Sequence, residues 1–154
     1  MNIVGRLLSS DDIIVGLDVS GKRPALEEIA LLIGRRHQIN DAPVFRALWR
    51  REEIGSTAIG HGIAIPHARI AGISEPILFL ALPRLPIKFG APDRQPVSVL
   101  FVILVPEDAN REHLQILATV SEMFSDQAFR SRLSAAVEAA AIQRLFGEWG
   151  RDSH

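Results

Sequence analysis

The sequence contains no cysteine and no tyrosine. The first absence removes a thiol nucleophile, a thiolate metal site and a disulfide framework. The second removes phenol chemistry. A surplus of one charge is missing too: 17 lysines and arginines stand against 18 aspartates and glutamates, a net charge of −1. No basic field therefore gathers nucleic acid, and no acidic tail is present. Long apolar runs are also lacking. The longest, Val99–Val105 (VLFVILV), has 7 residues, where a membrane-spanning helix needs about 20. The amino-terminal stretch MNIVGRLLSSDD has no apolar h-region and no A-x-A-like site, so no secretory signal is expected. The expectation is a cytoplasmic protein with no membrane insertion.

What remains is ordinary globular composition, 47% apolar and 23% charged over 154 residues. That length suits one domain spanning residues 1–154. Such a chain buries about 68–70% of its unfolded surface and needs no metal or disulfide to hold a core. The polar residues best suited to chemistry are the five histidines His37, His61, His67, His113 and His154.

Ile13–Leu17 is β-branched and apolar and reads as a strand. Pro24 sits near the start of an amphipathic helix running to about residue 37, with Leu26, Ile29, Ala30 and Ile33 on its apolar face. Asp41 suits the N-cap of a second helix that carries Val44, Phe45, Leu48 and Trp49 and stops at Gly55. From there the texture changes: GSTAIGHGIAIPH (55–67) holds three glycines, one proline and a short strand Ile63–Ile65. Ile77–Leu82 and Val97–Val105 are unbroken apolar runs, which suit strands buried on both faces. Residues 87–89 read as a further short strand. Asp108 or Asn110 can cap the next helix, and Ser125 and Ser134 two more, the last burying Val137, Ile142 and Leu145. Helices at both ends with strands between them make an α/β sandwich.

His67 directly follows the Ile63–Ile65 strand, at the kind of strand end where ligands gather in α/β sheets. If 61–67 were extended throughout, His61 and His67 would share a face, and His67 could be a hydrogen-bonded structural residue. His113 lies early in the helix after the longest strand, where unpaired N–H groups and the helix dipole favour an anion. Should the two strands run parallel, the two histidines face one another. Either Arg50 or Arg51 could turn toward the Gly-rich segment and bind phosphate in bidentate fashion, although the Arg50–Glu53 cluster reads most simply as a solvated helix end. Ser56 and Thr57 could add hydroxyl hydrogen bonds there or merely hold the turn. These parts suit phosphoryl transfer through a neutral imidazole nitrogen, assisted by arginine and helix N–H groups. With no P-loop and no GxGxxG, the phosphoryl group must come from another protein, and no cofactor is expected.

Arg51-Glu52, Gly55-Ser56-Thr57, Ile59-Gly60 and Gly62-Ile63-Ala64-Ile65-Pro66-His67 together resemble the signature of fructose/mannitol-type enzyme IIA domains of the bacterial phosphotransferase system, most closely the nitrogen-type branch. Gln95-Pro96-Val97, Leu100-Phe101, Leu104-Val105-Pro106 and His113-Leu114 continue the likeness over nearly the whole chain. The resemblance implies a mixed sheet of about five strands between helical layers, a three-layer sandwich. It implies that His67 accepts a phosphoryl group from a histidine phosphocarrier protein, that His113 is the second active-site histidine, and that Arg51 is the phosphate-binding arginine. It implies a phosphohistidine carrier rather than a turnover enzyme, acting on regulatory targets such as potassium-transport and sensor-kinase systems.

One departure is His61, which replaces the Asn expected in the nitrogen-type motif. It could contact the phosphoryl group or be an exposed loop side chain. Three other functions compete: a sugar-specific IIA component passing phosphate to a IIB domain, a metal-dependent hydrolase built on His61, His67 and His113, and a purely structural interaction module that takes up no phosphoryl group. No metal site is expected under the leading interpretation. His37 and His154 are expected to be solvated.

Overall fold

The structure, a computed structural model, describes residues 2–150. Its elements run α1 (Ile3–Leu7), β1 (Ile13–Leu17), α2 (Lys22–His37), α3 (Asp41–Ile54), β2 (Ala58–Gly60), β3 (Ile63–Ala64), β4 (His67–Ile70), β5 (Ile77–Pro83), β6 (Val99–Pro106), α4 (Arg111–Ser125), α5 (Gln127–Ala135) and α6 (Ala139–Glu148). The strand order is β1-β5-β6-β3-β2, with β4 also paired to β6. The sheet is mixed: β6 runs parallel to β3 and β4 and antiparallel to β5.

The unbroken apolar run in β6 is explained by burial on both faces. Leu100, Val102 and Leu104 pack with Ile29, Ile33, Val44 and Leu48 of α2 and α3. Phe101, Ile103 and Val105 pack on the other side with Ile116, Val120, Phe124 and Phe146 of α4 and α6. Phe101 lies 5.2 Å from Phe146 and 6.1 Å from Phe124 between ring centroids. Each such side chain taken from water contributes about 1.5–3 kcal/mol. The result is the three-layer α/β sandwich expected from the sequence, with helices on both faces of the sheet.

The strand count is six rather than about five, and Pro66 is the reason. In β3, Ile63 pairs with Val99; in β4, His67 pairs with Ile103. The offset is the same in both, 99 − 63 = 36 and 103 − 67 = 36, so β3 and β4 are one line of chain alongside β6. It is interrupted at Ile65-Pro66, since proline has no N–H for the ladder. His67 therefore does not sit beyond a strand end. It opens β4, opposite the middle of β6.

Other boundaries shift for identifiable reasons. Asn40, not Asp41, caps α3, accepting the Ala42 N–H at 3.2 Å. Asn110 is the cap of α4. Asp126 caps α5 with bonds to Ala128 and Phe129, in place of Ser125. α6 begins at Ala139 with no side-chain cap, well past Ser134, and leaves Val137 73% exposed. The expected strand at 87–89 reduces to one bridge, Ile87 to Val97. Among the described residues, no helix is long and apolar enough to cross a membrane.

Candidate functional site

In β4, Ala68 and Ile70 pack into the core under α2 and α3. Alternation then turns His67 and Arg69 to the opposite face, over Ile103 and Val105. The His67 ring is fixed by a 2.7 Å bond between its Nδ1 and the carbonyl oxygen of Ile65. A carbonyl only accepts, so Nδ1 carries the proton. In the neutral ring, Nε2 therefore keeps its lone pair.

The condition set by the sequence is met, because β3 and β4 both run parallel to β6. β6 leads into the turn before α4, and the third residue of that helix is His113. Its backbone N–H donates to Asn110 Oδ1 at 2.9 Å. Its Nδ1 is buried and has no hydrogen-bond partner among the described residues. From the other side of the opening, the last turn of α3 contributes Arg50 and Arg51. Arg51 Nη1 donates to the carbonyl of Gly55 at 2.8 Å, which ends the helix.

These side chains meet in one cleft of about 370 Å³. His67, His113, Arg50, Arg51 and Arg69 are its polar lining, with Ile54, Ile103, Leu114 and Leu117 among the apolar residues. No aspartate or glutamate lines it. Three arginines, an unprotonated nitrogen and a helix start make an anion site rather than a cation site. Both Arg50 and Arg51 reach the cleft, so geometry alone keeps the pair together. Arg69 was not singled out by the sequence; its position two residues after His67 on a strand was the available signal.

Ser56, Thr57 and His61 do not line this cleft. The Ser56 hydroxyl donates to Phe89 O at 2.6 Å and accepts the Ala58 N–H. The Thr57 hydroxyl donates to Glu52, which also accepts the Thr57 N–H. Glu52 is itself buried and paired with Lys22 at 2.8 Å, so the Arg50–Glu53 cluster is not simply a solvated helix end.

His61 sits at the tip of the β2–β3 turn with φ +57, between Gly60 and Gly62, both at positive φ. The turn removes the shared face that a continuous extended segment would have given His61 and His67. His61 lines a separate groove of about 620 Å³ with Ser98, Gln127 and Arg130. A zinc site built on His61, His67 and His113 thus lacks its geometry. Among the described residues, no group of three or more histidines, aspartates or glutamates could hold a metal ion.

Asp93 holds the turn: Oδ2 accepts the His61 N–H at 2.9 Å and Oδ1 accepts the Gln95 N–H at 3.1 Å. The His61 bond, followed by the Gln95 bond, holds the Asp93 carboxyl below its ordinary value of 3.8. A depressed carboxylate pKa means the clamp is complete above 3.8 and is released only as pH falls through the lower folded value. In an NMR titration, the His61 amide shift should move together with the Asp93 carboxyl, and below pH 3.8. A midpoint at or above 3.8 is inconsistent with the clamp. His37 is not solvated as expected: its Nε2 lies 2.9 Å from Oδ1 of Asp12, which is 2% exposed. His154 lies outside the described residues.

The three-layer fold is shared with IIA components of sugar phosphotransferase systems. The crystal structure of IIA mannitol from Escherichia coli has a TM-score of 0.73 over 90% of this chain and 97% of that one, at 18% identity, a likeness of fold alone. Sequence carries the assignment further. The family model "Phosphoenolpyruvate-dependent sugar phosphotransferase system, EIIA 2" matches residues 6–149, and the chain belongs to that family. It is 38% identical over 141 residues to a nitrogen regulatory protein of Pseudomonas aeruginosa, covering 91% of this chain and 92% of that protein. It is 37% identical over 137 residues to one from Bradyrhizobium diazoefficiens, covering 88% and 89%. The crystal structure of nitrogen regulatory protein IIA-Ntr from Neisseria meningitidis has a TM-score of 0.87 at 36% identity, covering 94% of this chain and 99% of that one.

Proposed function

We propose that this protein is a phosphocarrier and regulator of the nitrogen branch of the phosphoenolpyruvate-dependent phosphotransferase system, working in the cytoplasm. His67 Nε2 accepts a phosphoryl group from a histidine phosphocarrier protein. The lone pair of Nε2 attacks phosphorus; the new N–P bond forms as the donor's N–P bond breaks, and that electron pair stays on the donor's imidazole. The Ile65 carbonyl keeps the proton on Nδ1 and stabilises the positive ring that results. His113, the start of α4 and Arg51 neutralise the transferring oxygens. Partner proteins, among them potassium-transport and sensor-kinase systems, then respond to the phosphorylation state.

The observation that carries this reading is the convergence of two histidines and three arginines on one cleft without a carboxylate. The nitrogen branch is favoured over sugar uptake by the relatives. The nitrogen regulatory proteins of Pseudomonas and Bradyrhizobium match over 91% and 88% of this chain, whereas a fructose-specific EIIA component of Haloferax volcanii, 36% identical, matches over 66% of it. The test is incubation with phosphoenolpyruvate, enzyme I and a histidine phosphocarrier. One acid-labile, base-stable phosphoryl group per chain is expected; no uptake at all would leave the fold as a mere interaction module.

Arg51 tests the charge-neutralising step. Arg51→Ala should lower kcat/KM for phosphoryl uptake about 10- to 100-fold, the range for losing a hydrogen bond to a charged group. Arg51→Lys should fall between the two, because an ammonium keeps the charge but not the planar fork. Equal rates for the lysine and alanine variants would remove bidentate binding from the mechanism.

A further inference from the structure

We infer that Arg69 is a positioning residue: it fixes the turn that begins α4, and with it His113, against the strand that carries His67. This rests on the proposed acceptor role of His67.

Arg69 pairs in register with Val105, one residue before β6 ends at Pro106. Its side chain shares the face of β4 used by His67 and lines the same cleft. Its Nη1 donates to the backbone carbonyl of Glu107, the first residue past β6, at 3.1 Å. That carbonyl belongs to a tight turn closed by the Ala109 N–H on Pro106 O at 3.0 Å. One residue further, Asn110 takes the His113 N–H and starts the helix. A short chain of hydrogen bonds therefore runs from the acceptor strand to the backbone of the second histidine.

Two features make that chain matter. Glu107, Asp108 and Asn110 are exposed, and past Pro106 it is the single methyl of Ala109 that packs the turn against the core, a light apolar anchor. And the buried Nδ1 of His113 has no partner of its own among the described residues. The ring inherits its place from the backbone beneath it, and the Arg69 side chain ties that backbone to the sheet. The arginine gives up one of its five N–H donors to do so. No carboxylate lies within ion-pair distance of it among the described residues, so the contact is a staple to the main chain and not a surface ion pair.

The experiment compares wild type with Arg69→Ala and Arg69→Lys in two measurements. The first is steady-state phosphoryl uptake from the phosphocarrier protein; the second is the NMR resonance of the His113 ring in the unphosphorylated protein. Arg69→Ala should lower kcat about 5- to 10-fold, the size of one hydrogen bond lost in the transition state. KM for the donor should stay unchanged, and the His113 resonance should move. Arg69→Lys retains a donor for the Glu107 carbonyl and should restore most of both.

Three results overturn the inference: no kinetic loss, a loss without movement of the His113 resonance, and a rise in KM that salt abolishes. The last would make Arg69 a docking charge for the donor. If the wild-type protein takes up no phosphoryl group, the functional proposal falls. The His113 resonance in Arg69→Ala then decides the positioning role alone, a shift upholding it and an unchanged resonance overturning it.

Discussion

His67→Ala is expected to take up no phosphoryl group while remaining folded. In the proposed reaction the nucleophile is one nitrogen, Nε2, whose lone pair is set by the Nδ1 bond to Ile65. No second group in the cleft is prepared in that way: the Nδ1 of His113 has no partner among the described residues, and the arginines are never nucleophilic at neutral pH. Loss of a covalent nucleophile removes the intermediate itself, so the effect is all or nothing rather than a graded loss. Stability should change little, because β4 is held by its ladder to β6, through Ala68 and Ile70 in the core, and by the Pro66 carbonyl, none of which needs the imidazole. Intact-mass spectrometry after incubation with the phosphorylated donor reads the outcome, with circular dichroism as the control. Phosphate retained by the alanine variant would displace His67 as the acceptor. In the wild type, two-dimensional NMR should place the phosphorus on Nε2 and the remaining proton on Nδ1.

The largest loss of stability should come from Glu52→Ala. The Glu52 side chain is 1% exposed and accepts from Lys22 Nζ at 2.8 Å. It also accepts from the N–H and hydroxyl of Thr57. Alanine leaves an ammonium and two buried donors without their acceptor. Breaking a buried pair in this way costs about 3–5 kcal/mol. Lys22 keeps some water and lies 4.5 Å from the Phe89 ring centroid, where a cation is still favoured. The cost should therefore fall near the lower limit, about 3 kcal/mol. Glu52→Gln preserves shape and an acceptor oxygen and should cost about 1–2 kcal/mol. Urea unfolding with an unchanged m-value separates the two variants. If alanine costs no more than glutamine, the network is not what holds this corner. Because Glu52 joins α2, α3 and the segment entering β2, its loss should also slacken the position of the adjacent Arg51.

The sequence showed most where one residue type answers to one force. Val99–Val105 is apolar without alternation because both of its faces are covered, and that was enough to place the central strand. The pattern around His67 was harder. Pro66 breaks a line of chain that remains in register on both sides, and no local signal says that a strand resumes after the break. His67, His113 and Arg51 do line one cleft, but Ser56 and Thr57 spend their hydroxyls on Phe89 and Glu52. Those partners are fixed by tertiary packing, which spacing along the chain does not show. The same holds for Asp12 and His37, which are 25 residues apart and joined only when α2 folds back toward β1. Caps failed where two candidates stood side by side, Asn40 beside Asp41 and Asp126 beside Ser125, since the choice depends on one backbone angle rather than on composition.

The Ile103 N–H donates to the carbonyl of Pro66 at 2.9 Å, the residue before His67. The proposed acceptor is therefore moored to the middle of the strand buried on both faces. Amides at such a place exchange with solvent only through global unfolding, whereas the turn at Glu107–Asn110 can open locally. A receptor that distinguishes the two forms of this protein would then be offered nearly the same shape twice. Under the proposed function, what would differ is an added dianion in a cleft of arginines, so discrimination would be electrostatic and should weaken steadily as ionic strength rises.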